Sequence, residues 1–380
     1  MSRRPAGRQG GPRPSEPNRQ RGDDMNRLLR NAAATAAIAI ALGATVALAS
    51  CSKGQSSSEP KKLYIFNWTY YTPDSVIAKF EKEYNCKVVY DSFDSNEAMF
   101  AKLKAGGSNY DIVFPSADYV SIMASQSMLA PIDKSKLANW KNIDPAVLAR
   151  AKDYDPDNKF SVPYYMGAAG IAVNKTKVKK YDQSWSIFSR KDLKDKMTML
   201  DDMREVMGDA LAFQGKSVNT RSDAEVKAAE ELVNKVWKPN LLKFDAEAFA
   251  KGFAAGEFWV AQGYAESIFA EYDAKKRADV DFFIPKEGGP LYIDSMVILK
   301  NSKSKDLALK FIDFIHRPEI YAEFCDAFGF PCTANVPARQ LKKGDMWYKA
   351  EDLAKCELKL DLGADLEKYN NAWQEIKVGK

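Results

Sequence analysis

Short apolar segments alternate with amphipathic helical patterns along the chain from Lys62 onward. Apolar runs at 63–66, 87–90 and 111–114 are predicted strands, and the periodic stretches at 75–84 and 96–104 are predicted helices. Strands interleaved with helices predict a parallel sheet that is covered on both faces. The fold class is therefore α/β, and 380 residues suffice for about two domains.

A second alternating region follows an extended apolar stretch in the middle of the chain. Residues 163–174 (PYYMGAAGIAVN) combine this extended character with a glycine-rich bend, which makes them a candidate crossing between two lobes. The second region spans about 185–294, and a strand at 296–299 and a helix at 306–315 follow it. We therefore predict two α/β lobes.

The side chains that follow the predicted strands suit a positively charged ligand. In open α/β sheets, ligands bind beyond the carboxyl ends of the strands. The segments at those ends are rich in aromatic and acidic residues, and Arg204 is their one base: NWTYY at 67–71, SADY at 116–119, DDMRE at 201–205 and YIDS at 292–295. Carboxylates can replace the water around an ammonium group, and a ring face adds about 0.5–2 kcal/mol of cation–π attraction.

Each of these side chains also has a structural explanation. Aromatic residues suit the edge of a core, a serine can cap a helix, and acids fit the first turn of a helix or a turn before a strand. The residues concerned are Trp68, Tyr71, Ser116, Asp202, Glu205 and Asp294. Their joint placement at strand ends favours the ligand site.

The charge distribution excludes a nucleic-acid partner. The chain has 56 Lys and Arg residues against 51 Asp and Glu, a formal charge of +5. The first 50 residues contain eight arginines, three acids and no lysine, so the remainder carries 48 basic and 48 acidic groups. Such a body has no long-range attraction for nucleic acid. The single histidine, His316, excludes metal sites built on several histidines, and no phosphate-binding GxxxxGK[ST] motif is present.

The first 60 residues have the composition of an export signal. We interpret residues 1–24 as a leader from a misassigned start before Met25. Residues 25–50 combine a basic start with an Ala-rich apolar run, as in a secretory signal; an uncleaved transmembrane helix is the alternative. The run ends in LASC, which resembles a bacterial lipobox and implies lipid attachment at Cys51. Residues 51–60 would form a flexible tether.

Four further cysteines would meet an oxidising compartment after export: Cys86, Cys325, Cys332 and Cys356. Cys325 and Cys332 are near enough in sequence to close a short disulfide loop. Free buried thiols are the alternative.

Long segments of the chain resemble the spermidine/putrescine-binding proteins, the receptors of polyamine ABC transporters. The motifs that carry this resemblance are NWTYY at 67–71, YDSFDSNEAMFAKLKAG at 90–106, YDIVFPSADYV at 110–120, DKSKL at 133–137, DPDNKFSVPYYMGAAGIAVN at 155–174, LDDMREV at 200–206 and IPKEGGPLYIDSM at 284–296. The resemblance implies a two-lobed periplasmic binding protein-like fold of type II, with the ligand in the cleft between the lobes. It assigns 61–166 plus 295–339 to lobe 1 and 167–294 plus 340–380 to lobe 2.

The resemblance also assigns roles to residues of the cleft. It implies that the aromatic walls are formed by Trp68, Tyr71, Tyr264 and Tyr292. It implies polar contacts from Thr69 and Ser116. The acids that would bind ammonium groups are Asp202, Glu205 and Asp294.

Four positions depart from the family pattern. Asp118 and Phe330 stand where tyrosines are common, and Glu266 lies near an acid of putrescine-type relatives. Lys359 falls about where a polar amide is expected. A lysine there would oppose a bound cation unless it is paired, and we expect Asp118 to be its partner.

These observations predict a lipid-anchored, monomeric receptor in the periplasmic space that captures putrescine or spermidine for a membrane permease. It would use no cofactor and would not be an enzyme. The alternatives are a receptor of the same fold for another small solute and a surface adhesin with a vestigial pocket. A third is a carboxylate-dependent glycoside hydrolase, since paired acids and aromatics also suit sugars.

Overall fold

The computed structural model describes residues 60–69, 71–106 and 109–378. The predicted leader at 1–24, the signal at 25–50, Cys51 and the tether as far as residue 59 lie outside the described residues. Across the described ranges, no helix combines the length and the apolar character needed to cross a membrane.

The described residues form strands that we number in chain order. They are β1 (Lys61–Trp68), β2 (Cys86–Phe93), β3 (Ile112–Val113), β4 (Ser161–Ala168), β5 (Gly170–Asn174), β6 (Met197–Met199), β7 (Leu241–Phe244), β8 (Val260–Gly263), β9 (Val280–Phe283), β10 (Pro290–Ile298) and β11 (Glu357–Leu358).

The α-helices are numbered in the same way. They are α1 (Asp74–Tyr84), α2 (Asn96–Lys104), α3 (Ala117–Ser125), α4 (Pro145–Ala151), α5 (Met203–Phe213), α6 (Asp223–Leu232), α7 (Phe249–Ala255), α8 (Ala265–Ala270), α9 (Ala274–Arg277), α10 (Lys305–Ile315), α11 (Pro318–Phe328) and α12 (Leu366–Val378). A π-helical turn at Val233–Trp237 continues α6. Short 3₁₀ turns lie at Lys134–Lys136, Trp140–Asn142, Pro156–Asn158, Trp185–Ser189, Lys191–Leu193, Lys238–Asn240, Pro337–Gln340, Ala350–Lys355 and Gly363–Asp365.

The first sheet is mixed rather than parallel. Its order is β11-β10-β3-β1-β2, and β4 pairs along β10. Strands β2 and β3 run parallel to β1, whereas β10 runs antiparallel to both β3 and β4. The sequence-based expectation of a parallel sheet is wrong at β10, because this strand enters from the second sheet without a crossover helix that would restore the parallel direction.

The second sheet has the order β7-β6-β8-β5-β9. Strand β6 is parallel to β7 and β8, and β5 is antiparallel to β8 and β9. Only Ala169 separates β4 of the first sheet from β5 of the second. The extended apolar segment therefore passes from one sheet to the other, and the chain returns between β9 and β10.

Two apolar clusters fill the layers around the sheets. Helix α10 shows how the first cluster is built: Leu307, Phe311 and Phe314 recur at helical spacing and are all buried. The second cluster contains the buried indoles of Trp185 and Trp237. Each large apolar side chain of this kind stabilises the fold by about 1.5–3 kcal/mol relative to an exposed position.

The cysteines and the histidine of the described chain belong to its interior. Cys86, Cys325, Cys332 and Cys356 are buried and free. Of the two possibilities that the sequence left open, the structure therefore has free thiols. The ring of His316 is also buried and stacks on Tyr321 at 5.7 Å between centroids, within the first cluster.

Candidate functional site

Asp294 lies inside β10, where the pairing with β4 shifts register between Asp294 and Ser295. Its side chain is nearly buried, and both carboxylate oxygens accept hydrogen bonds. Oδ1 accepts from the Ser116 hydroxyl at 2.6 Å, and Oδ2 accepts from the Tyr71 hydroxyl at 2.9 Å. The sequence predicted a strand that starts at 296 and so placed Asp294 before it. This prediction is wrong, because Asp294 is a polar residue that interrupts the apolar pattern of the strand. Its hydrogen bonds come from side chains that are distant in sequence, which is how a polar group can be buried there.

Ser116 directs the Asp294 carboxylate rather than capping a helix. It precedes α3, but its side chain makes no capping hydrogen bond. Its hydroxyl accepts from Asn96 Nδ2 at 3.1 Å while it donates to Asp294. Burial raises the pKa of Asp294 to about 6, against the opposing effect of the hydrogen bonds from Ser116 and Tyr71. The carboxylate is thus oriented by neutral donors.

An aromatic wall stands behind this carboxylate. The Tyr71 ring meets Tyr165 edge-on at 6.4 Å and Phe330 at 6.1 Å, and the Phe330 ring stacks on Tyr165 at 4.2 Å. Trp68, at the end of β1, is half-buried, and its indole Nε1 donates to the Phe114 carbonyl at 2.9 Å. Phe330 is 1% exposed, so it supports the rings of Tyr71 and Tyr165 by packing against them in the interior.

A second aromatic wall carries another acid, which is partly buried. The rings of Tyr264 and Tyr292 meet edge-on at 6.0 Å, and Glu266 lies in the first turn of α8, just after Tyr264. Burial raises the pKa of Glu266 to about 7. Gly167 lies opposite Tyr292 in the β4–β10 pair, and a Cβ atom there would lie 2.5 Å from the tyrosine hydroxyl oxygen. Only glycine leaves room for this ring.

Helix α5 presents acids from its first turns. Asp202 is its N-cap, and Oδ1 accepts from the backbone N–H groups of Arg204 at 2.9 Å and Glu205 at 3.1 Å. Glu205 and Asp209 are fully buried, and Asp209 accepts from the Gln262 side chain. Burial raises the pKa of both carboxyl groups, and the charge of Glu205 raises that of Asp209 further. The helix-start explanation of Asp202 is correct, and it coexists with an acidic cluster.

Lys359 pairs with Glu205 and not with the expected Asp118. Its Nζ contacts Glu205 Oε1, and its backbone N–H donates to the Leu291 carbonyl at 2.9 Å, which fixes it beside β10. Burial alone would lower the pKa of the lysine, but the charges of Glu205 and Asp202 raise it. Asp118, in the first turn of α3, has its pKa raised by burial although Lys359 and Arg204 oppose this. Arg204, the neighbour of Glu205, donates to the carbonyl of Leu360, the neighbour of Lys359, so the contacts of α5 with this segment bring Glu205 to the lysine.

The acids described above fall into two sets. We call Asp294 and Glu266 the first acidic group, and Asp118, Asp202, Glu205 and Asp209 the second acidic group. Burial raises the pKa of the Tyr264 hydroxyl, and negative charges from both groups raise it further. Tyr264 is thus within electrostatic range of both acidic groups. A flexible chain with a cation at each end matches this arrangement.

The ring contacts and hydrogen bonds of the Trp68 and Thr69 side chains are made with residues outside the predicted site. Thr69 is exposed, and its hydroxyl donates to Asp94 at 2.8 Å.

The sequence analysis missed two residues of the site, Asp209 and Asn96. Asp209 could have been found from its spacing of four residues after Glu205, which places both on one face of α5. No pattern in the sequence around Asn96 indicates its contact with Ser116. No cluster suited to a metal ion occurs among the residues that the structure describes.

Comparisons with known proteins identify the family of this chain. The model of the bacterial extracellular solute-binding protein family matches residues 75–354. A spermidine/putrescine-binding periplasmic protein of Salmonella typhimurium is 36% identical over 353 residues, which cover 91% of this chain and 97% of the relative. The chain belongs to the bacterial extracellular solute-binding proteins.

Solved structures of this family share the fold. The Treponema pallidum lipoprotein Tp0655 (TpPotD) has a TM-score of 0.81 and 51% identity, and the match covers 83% of this chain and 99% of that one. A spermidine/putrescine ABC transporter substrate-binding protein from Streptococcus pneumoniae has a TM-score of 0.75 and 28% identity, with coverage of 83% and 98%. These relatives are named as binding proteins and not as enzymes, which confirms the expectation that this family member is not an enzyme.

Proposed function

We propose that this chain is the polyamine-binding component of an ABC transporter. The observation that carries the proposal is the occurrence of carboxylates beside tyrosine rings, as where the Tyr71 hydroxyl donates to Asp294. An alkyl diamine or triamine has the matching chemistry, because its ammonium groups need anions and its methylene groups can pack on ring faces. The names of the Salmonella and Streptococcus relatives support the same ligand class.

Asp294 is the strongest candidate for an ammonium contact. Its two oxygens are already oriented by Tyr71 and Ser116, and each oxygen has a second lone pair for an incoming N–H donor. A carboxylate that is held in place loses little entropy when the ligand arrives. Trp68 and Tyr71 would supply the adjoining ring faces.

The two lobes would close over the ligand. The proposed lobes are 61–166 plus 295–339 and 167–294 plus 340–380. The first would contribute Trp68, Tyr71, Ser116 and Asp118, and the second would contribute the other acids of both groups. A ligand that contacts both lobes favours the closed state, because its differential affinity shifts the equilibrium. A membrane permease would recognise the closed monomer.

Lipid attachment at Cys51 would hold the receptor at the outer face of a membrane. The LASC sequence and the description of the Treponema relative as a lipoprotein support this proposal. Several acyl chains give stable anchoring where one chain gives only marginal binding. Mass spectrometry of the protein from membranes should find a modified Cys51 at the amino terminus, and Cys51→Ser should release the protein from membranes. An unmodified amino terminus before residue 51 would contradict the proposal.

Calorimetric titration tests the ligand class directly. The mature chain should bind at least one of putrescine, spermidine and spermine with a measurable heat, and the same compound should raise the melting temperature. A neutral diol of the same length as putrescine is the matched control, and it should not bind. Absence of heat and of a thermal shift with all three polyamines would reject this function.

A further inference from the structure

Six exposed lysines lie at the end of the first sheet where β1 begins. Two are the first residues of β1, one ends α2, and three belong to the segment that leads from β10 into α10. We call them the lysine face: Lys61, Lys62, Lys104, Lys300, Lys303 and Lys305.

Backbone pairing brings these segments together. The Leu299 N–H donates to the Asp111 carbonyl at 3.0 Å, and the Asp111 N–H donates to the Tyr64 carbonyl at 2.8 Å, so β10 ends beside the starts of β3 and β1. The Ser304 hydroxyl donates to the Lys62 carbonyl at 3.1 Å. A cavity of about 710 Å³ between the same segments is lined by three of the lysines, Lys104, Lys300 and Lys303. The lysines therefore belong to one surface.

The acids that adjoin this face are engaged by other groups. The Asp111 carboxylate is 2% exposed and accepts from the Ser302 hydroxyl at 2.6 Å. Asp306 pairs with Lys136 at 3.0 Å. The pKa of Asp306 is lowered mainly by this hydrogen bond and further by the charge of Lys61, which places Lys61 near the start of α10.

The lysine face thus keeps its positive charge. Within the described ranges, none of its six ammonium groups forms an ion pair with a carboxylate. The chain from residue 51 onward carries 48 basic and 48 acidic groups, so any attraction to an anionic partner has to come from a local surface such as this one.

The proposed lipid attachment point is close to this face in sequence. Cys51 and Lys61 are ten residues apart, and a chain of that length spans at most about 35 Å. A receptor that is attached at Cys51 therefore keeps the start of β1 within this distance of its anchor. Attachment raises the local concentration of the lysine face at the lipid surface, where anionic phospholipids carry the complementary charge.

We infer that the lysine face docks on the anionic phospholipid headgroups of the membrane that holds the anchor. This inference rests on the proposed lipid attachment at Cys51. Strand β1 runs from Lys61 to Trp68, and β10 passes Asp294 before it reaches the lysine face. The candidate site lies away from the face along both strands. Docking on lipid leaves the site open to solvent, so the docked receptor is oriented for ligand capture.

Vesicle sedimentation tests this docking with the mature chain that carries Cys51→Ser, because its binding does not depend on lipid attachment. The chain should bind vesicles of equal parts phosphatidylcholine and phosphatidylglycerol but not vesicles of phosphatidylcholine alone. Sodium chloride at about 0.5 M should release it, because salt screens exposed charges. Substitution of all six lysines of the face by glutamine should weaken binding at least about tenfold, since each lysine near an anionic surface adds to the attraction.

Six other lysines provide a control of equal charge. They are exposed and form no ion pair within the described part of the chain, but they lie in or near the segment between β5 and β6: Lys175, Lys177, Lys179, Lys180, Lys191 and Lys194. Their substitution by glutamine changes the net charge by the same amount and should leave the affinity for anionic vesicles near the wild-type value. Circular dichroism with thermal melting shows whether both variants are folded.

Smaller variants keep the comparison possible if a sixfold variant does not fold. Glutamine at Lys61, Lys62 and Lys303 should weaken binding to anionic vesicles more than glutamine at Lys175, Lys177 and Lys179.

Three results would overturn the inference. They are a wild-type chain that does not bind anionic vesicles, equal binding to both kinds of vesicle, and a loss in the lysine-face variant that is no greater than in the control. Failure of the proposed function gives different results. Absence of heat with every polyamine rejects the ligand class, and an unmodified Cys51 rejects the anchor, whatever the vesicles show.

Discussion

At the scale of single residues, the site is a set of buried and partly buried acids whose ionisation is disfavoured. Burial disfavours their ionised form, and the pKa of Asp294 and Glu266 rises to about 6 and about 7. A bound ammonium reverses this effect, because an adjacent cation favours the carboxylate. Ligand binding and proton release are therefore coupled in the proposed receptor.

The first residue-scale prediction compares two partners of one hydrogen bond. Asp294→Ala should weaken polyamine binding by about 3–5 kcal/mol, because it leaves a desolvated ammonium without its anion. Ser116→Ala should cost only about 0.5–1.5 kcal/mol, since Tyr71 still orients the carboxylate. Calorimetry measures both losses, and Asp294→Asn controls for side-chain shape. Equal small losses would show that the ligand lies elsewhere.

The second residue-scale prediction concerns pH and binding. Affinity should rise between about pH 5 and about pH 8, because Asp294 and Glu266 must be ionised to bind a cation. Titrations in buffers of different ionisation enthalpy should detect protons released on binding near pH 6. Glu266→Gln should reduce this release. Binding that does not change across this range would contradict the assignment of these carboxyls to the site.

Stability without ligand should have the opposite dependence on pH. Glu266 has its pKa raised from 4.5 to about 7 in the folded state, so its contribution to the free energy of unfolding is full below about pH 4.5 and is lost as pH rises through about 7. Glu266→Gln should therefore stabilise the ligand-free protein more at about pH 8 than at about pH 5. Denaturant unfolding at both values measures the difference, and an equal effect at both would show that the carboxyl is not buried.

At the scale of elements, α5 combines two functions in one position. Asp202 caps the helix and belongs to the second acidic group. Asp202→Ala should lower stability by about 0.5–2 kcal/mol through loss of the cap, whereas Asp202→Ser should retain most of it. Both changes remove the charge, so both should weaken polyamine binding. If only the alanine variant binds weakly, the residue acts through the helix alone.

The β4–β10 pair supports a second element-scale prediction. Gly167→Ala should displace Tyr292, because the new Cβ atom would lie 2.5 Å from its hydroxyl oxygen and 3.0 Å from the Tyr165 ring. We expect a lower melting temperature and weaker ligand binding. In a Tyr292→Ala background, the stability loss from Gly167→Ala should be much smaller, and a double-mutant cycle measures this coupling. Strictly additive losses would place the clash elsewhere.

The elements also show how far the sequence predicts this molecule. Strands β1 to β3 and helices α1, α2 and α10 lie where apolar periodicity predicted them. Strand β10 is longer than predicted, because Asp294 and Ser295 are buried polar residues inside it. Their partners Tyr71 and Tyr154 are distant in sequence, and no local pattern shows such a contact. The same reason explains why Lys359 was given the wrong acid as a partner.

At the scale of the whole molecule, the two sheets are joined by the β4–β5 segment and by the return from β9 to β10. These short connections suit a hinge between two bodies. Small-angle X-ray scattering should show a smaller radius of gyration when putrescine is added to the wild-type chain. The Asp294→Ala variant, at the same ligand concentration, should not contract. Measurable heat of binding with unchanged scattering would contradict closure.

The buried thiols have a practical consequence. A chain that begins at Pro60 lacks Cys51, and the four cysteines that remain are covered by the folded interior. One cysteine introduced on the surface beside the cleft would then react selectively with a thiol-specific dye. The native fold thus provides the background for a fluorescent sensor, in which emission reports the ligand concentration in real time.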